Sequence, residues 1–144
     1  MIEQDTIKLL RECDAGIAMG ITSIDEVMPY AGDDKLKQTL HRCRAEHDRL
    51  GKEVEARLHR FGDEGKNPNP VAKTMSGLST GIKLTLNESD QTIAGIMTDG
   101  CNMGVKSLNR YLNQYEAAEE YAKDITKRLI NLEQKLTEDV RAYL

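Results

Sequence analysis

GIAMGITSI at residues 16–24 and GCNMGVKSL at residues 100–108 are two copies of one pattern, separated by 84 positions. Each copy sits inside a run of apolar residues at helical spacing. Around the first copy the steps of three and four connect Ile7, Leu10, Asp14, Ile17, Ile21, Ile24 and Met28. Around the second they connect Ile93, Met97, Cys101, Val105, Leu108 and Leu112. Seams of that alternation belong to helices packed at shallow angles. The same seam at the same register in both halves predicts two related helical hairpins.

Each hairpin has a second helix. Leu36, Leu40, Cys43, His47, Leu50, Val54, Leu58 and Phe61 form the seam that follows the first copy, beyond Pro29 and Gly32, with Asp33 or Asp34 as cap. Ala118, Ala122, Ile125, Leu129, Leu132, Leu136 and Val140 form the one that follows the second, in a helix expected from about Tyr115. Asn87 or Ser89 can cap the helix of the second copy. Between the hairpins, Pro70 to Leu86 carries a shorter stripe of Val71, Met75, Leu78 and Ile82, weakened by Gly77 and Gly81. The expectation is one all-α domain over residues 1–144: hairpin 1 at about 2–62, a lengthwise crossover with a short helix at about 63–88, and hairpin 2 at about 89–144. The first and last helices then run parallel.

Composition narrows the function classes. The chain has 144 residues, 39% hydrophobic and 31% charged, with a net charge of −4. That describes a globular chain, and no apolar run approaches the ~20 residues of a membrane span. Basic residues such as Arg42, Arg44, Arg49, Lys52 and Arg57 alternate with Glu46, Asp48, Glu53 and Glu55, which argues for a salt-bridged surface and against nucleic acid. Three widely spaced cysteines and a start, MIEQDTIKLL, without a signal-peptide pattern suggest a cytoplasmic, reduced protein. The methionines Met19, Met28, Met75, Met97 and Met103 read as core, and His41 and His59 as solvated.

CDAGIAMG in the first helix, AEHDRLGKEV in the second, Asp99-Gly100 and the hairpin repeat carry a likeness that covers nearly the whole sequence. By these features the chain resembles small bacterial members of the ferritin-like superfamily. The resemblance implies a ferritin-like four-helix bundle. Its usual di-iron centre takes a Glu from each of two helices and Glu-x-x-His from each of the other two. This sequence has Arg44 where the Glu before His47 would stand, and the fourth helix has no His, only Glu133 and Glu138 near a leucine seam.

Asp14, Cys43, His47 and Cys101 are the seam residues a minimal bundle would not need. A turn centred near residue 31 puts Asp14 and His47 in one layer, with Cys43 one turn away and Cys101 near the same height on the third helix. Leu129 or Leu132 completes the layer. Three readings stay open. Asp14 and His47 form a buried pair that sets helix register; or Asp14, His47 and one or both of Cys43 and Cys101 bind one zinc or iron ion, a mixed donor set such cations accept; or a degenerate di-metal site is completed by Glu46 and Asp99. The first suits a structural, binding or regulatory module that associates with itself and is not an enzyme. The others suit a metal-binding or redox protein.

Overall fold

The computed structural model describes residues 2–63 and 89–144, and the expected crossover helix lies outside them. Four long helices pack together among these residues: α1 (Ile2–Val27), α2 (Asp34–Arg60), α3 (Asp90–Gln114) and α4 (Glu120–Val140). Short 3-10 turns follow α1 at Met28–Tyr30 and α4 at Arg141–Tyr143. Asp33 caps α2 by accepting a hydrogen bond from the Leu36 N–H at 3.2 Å, and Ser89 caps α3 by accepting one from Thr92 at 3.1 Å. Both satisfy donors that a helix start leaves open. The fourth helix starts at Glu120 instead of Tyr115, because the chain at 115–118 forms a tight turn held against α1. There the Ala117 N–H donates to Asp5 at 3.1 Å and the Glu119 N–H to Thr6 Oγ1 at 2.9 Å.

Cross-helix contacts fix the directions. Asp5 meets Ala117, Thr6 meets Glu119, Cys13 meets Thr126 and Gly16 faces Leu129, so α1 and α4 advance together and are parallel. Arg128 binds Glu53 at 2.7 and 3.0 Å, while Arg42 reaches Asp139 at 3.5 Å, so α2 and α4 are antiparallel. The Asp90 carboxylate accepts hydrogen bonds from the Gly32 and Asp33 N–H groups at 2.8 and 3.0 Å, which places the start of α3 at the turn between α1 and α2. Arg11 pairs with Asp63 at the other end. The second hairpin therefore begins at the end of the bundle opposite to where the first one finishes.

Apolar burial is divided into two cores. One holds Leu9, Leu10, Cys13, Ile17, Leu50, Val54, Leu58, Leu108, Ala122, Ile125, Leu129 and Ile130. The other holds Ile24, Val27, Leu36, Leu40, Cys43, Ile93, Met97, Cys101, Leu136 and Val140. Along every helix the break falls within one or two turns: between 17 and 24, 43 and 50, 101 and 108, and 130 and 136. Met19 and Met103, expected in the core, are 41% and 69% exposed. They stand one residue before Gly20 and Gly104, turned away from the faces those glycines present inward. His41 and His59 are exposed, as expected.

Candidate functional site

The break between the cores is a layer of two glycines and two ionisable side chains. A Cβ placed on Gly20 would stand 3.0 Å from both Nε2 and Cδ2 of His47. A Cβ placed on Gly104 would overlap the Glu133 carboxyl, whose Cδ would be 2.9 Å away. Carrying the α1/α4 register one turn beyond the Gly16–Leu129 contact brings Glu133 level with Gly20. Each helix thus contributes one member: Gly20, His47, Gly104 and Glu133. Gly20 and Gly104 are the same position of the internal repeat. In each hairpin the first helix gives up a side chain to make a notch, and the second helix fills it with a polar group.

Both polar groups are held neutral at pH 7. His47 is 2% exposed, and its Nδ1–H donates to the Cys43 carbonyl at 2.8 Å, which leaves Nε2 as the unprotonated nitrogen of a neutral ring. Burial lowers its pKa, against smaller opposing effects of the Cys43 hydrogen bond and of Glu46. Glu133 is 7% exposed, and burial pushes its pKa up to about 8. Among the described residues its Oε2 has no hydrogen-bond partner. A charged carboxylate in that position would carry a large desolvation penalty, and protonation removes most of it.

Cysteines from the other three helices lie around the layer. Glu133 acts electrostatically on Cys13, Cys43 and Cys101, all of them buried free thiols. Burial pushes the Cys13 and Cys43 thiols up to about 12, and Cys101 further. Cys13 donates to Thr126 Oγ1 at 3.2 Å, since the threonine hydroxyl spends its own proton on the Ala122 carbonyl at 2.8 Å. Cys43 Sγ lies 3.5 Å from His47 Nδ1.

The residues expected to meet at the centre are distributed differently. Cys43 and His47 are neighbours, and Cys101 is within electrostatic reach of Cys43. Asp14 is half-buried and belongs six residues, about 9 Å, along α1 from the level of His47. The displacement arises at the turn. The chain runs on through the 3-10 turn Met28–Tyr30 and α2 starts only at Asp34, so the hairpin is centred near residues 33–34 instead of 31. His47 is thereby raised from the level of Asp14 to that of Gly20. Both neighbours of Asp14 are buried, Cys13 fully enclosed and Ala15 nearly so. Glu46 is half-buried and bears on His47 only through its charge, and Asp99 is exposed on the outside of α3. From α4, Glu133 enters the layer in place of Leu129 or Leu132. Among the described residues, no three His, Cys, Asp or Glu side chains come together as a group that could hold a metal ion.

The sequence sets Glu133 near a leucine seam and gives Gly20 and Gly104 no role of their own, although a signal for the layer is present. Ala122, Thr126, Leu129, Glu133, Leu136 and Val140 alternate by four and three as regularly as the all-apolar seam beside them. The repeated glycines mark the facing notches. No protein-family model, curated protein or solved structure matches the chain. Among the described residues no helix is long and apolar enough to cross a membrane.

Proposed function

We propose that the protein is a ferritin-like four-helix bundle that has no carboxylate-bridged di-metal centre and works as a self-associating structural or binding module. The observation that carries this reading is the composition of the central layer. A di-iron site needs carboxylates from all four helices and two imidazoles at this height. Here the layer positions on α1 and α3 are Gly20 and Gly104, with no side chain to offer. On α2 the Glu-x-x-His pattern is Arg44-x-x-His47, and Arg44 turns outward to bind Asp25 at 2.6 and 3.1 Å. On α4 the corresponding spacing is Ile130-x-x-Glu133, with Ile130 in the core. The buried carboxyl of the layer, Glu133, already fills the space beside Gly104. Two donors and two filled notches do not fit a pair of bridged cations.

Self-association is supported by Met19 and Met103, which expose apolar side chains at equivalent positions of the two hairpins. The deciding experiment is elemental analysis of the untagged protein after iron(II) or zinc loading and desalting, with light scattering on the same sample. The reading expects less than about a tenth of an equivalent of metal per chain and a defined oligomer. About two equivalents, lost on His47→Ala and Glu133→Ala, would overturn the first part; a strict monomer at tens of micromolar would overturn the second.

A further inference from the structure

Glu133 is an expensive residue for a bundle that needs only packing. Leucine would fill the same space without an orphaned oxygen, and among the described residues no cation or hydrogen-bond donor satisfies Oε2. We propose that the Glu133 carboxyl, sealed in the Gly104 notch, is a proton-binding site that ties closure of the bundle's central layer to pH. The titratable groups around it are Cys13 from α1, Cys43 from α2 and Cys101 from α3, with His47 of α2 at the same level. None of these is a cation at neutral pH, since the thiols and the imidazole are all held in their neutral forms. The layer closes on a carboxylic acid. When it opens, water reaches the carboxyl and the proton is released to solvent.

The sign follows from linkage. The folded pKa of Glu133, about 8, lies above its ordinary value of 4.5, so its contribution is fully present below about 4.5 and is lost as pH rises to about 8. His47 works the other way: its folded pKa is lowered, so opening takes up a proton there below about 6.5. Below about 6.5 the two effects oppose each other, since opening moves a proton off the carboxyl and one onto the imidazole. From about 6.5 to 8 the Glu133 effect dominates, with the three buried thiols adding a small part of the same sign toward pH 8. There the unfolding constant rises by up to about tenfold per pH unit, or up to ~30-fold over that interval.

The test is urea unfolding followed by circular dichroism at pH 6.5 and 8.0, for the full chain and for Glu133→Gln, whose amide cannot titrate. Glu133→Leu serves the same purpose should the amide variant not fold. The wild type is expected to show an increase of about 10- to 30-fold in its unfolding constant between the two pH values, and the variant less than about threefold. Difference infrared spectra at pH 6.5 should contain a protonated carboxylic acid band that Glu133→Gln lacks. Equal pH responses in wild type and variant, or absence of that band, would overturn the proposal.

Discussion

Replacing Gly104 by alanine separates the notch from ordinary helix propensity. Alanine in place of glycine inside a helix gains about 1 kcal/mol when the added methyl meets nothing. Gly100 is such a position: it is exposed, and no atom of the described residues lies within 4 Å of a Cβ built there. At Gly104 the same methyl runs into the Glu133 carboxyl. The carboxyl must leave its notch or the helices must part, at an overpacking cost of about 1–3 kcal/mol. Gly100→Ala is therefore expected to stabilise the bundle by about 1 kcal/mol, and Gly104→Ala to destabilise it by about 1 kcal/mol. With Glu133→Ala in the background the obstacle is gone, and Gly104→Ala should become stabilising by about the same amount. The coupling in this double-mutant cycle is then about 2 kcal/mol, while the cycle with Gly100→Ala gives close to none. Urea midpoints at pH 6.5, where Glu133 is protonated, supply all the values. If Gly104→Ala stabilises the protein as Gly100→Ala does in both backgrounds, the notch is not what holds Glu133.

Other consequences can be checked on the same material. Asp90→Ala removes the acceptor of the Gly32 and Asp33 N–H groups, so a loss of about 1 kcal/mol in chemical unfolding is expected, with Asp90→Asn retaining part of it. In a Glu133→Gln background, stability should decline as pH falls below about 6.5, because the exposed imidazole of His47 then binds a proton that the buried one resists; adding His47→Leu should abolish that decline. All three thiols should resist an aromatic disulfide reagent in the native protein at pH 8 and react within minutes in urea, since they are buried and their thiolates are disfavoured.

Much of the fold was legible in the chain. The seam of α2 from Leu36 to Leu58 appears in the structure residue for residue, and the caps Asp33 and Ser89 are among those the local pattern offered. The parallel course of the first and last helices followed from two hairpins joined by a long connection. These features depend on local rules: apolar spacing, capping chemistry and chain length. The candidate site was legible only in part. Cys43, His47 and Cys101 are buried near the centre, whereas Asp14 is displaced along α1 and Glu133 takes the place given to leucine.

The sequence by itself determined that helices form, where they start, and that the two halves repeat each other, because those properties are set within a few turns of chain. Only the tertiary structure decided which residues share a layer. Helix height depends on how far the 3-10 turn at Met28–Tyr30 carries the chain before it reverses, and a shift of six residues replaces Asp14 by Gly20 opposite His47. Burial of Glu133 depends on a space that exists because a residue 29 positions earlier, Gly104, has no side chain. An absent atom leaves no mark in an apolarity pattern; it acquires meaning only when another helix is packed against it.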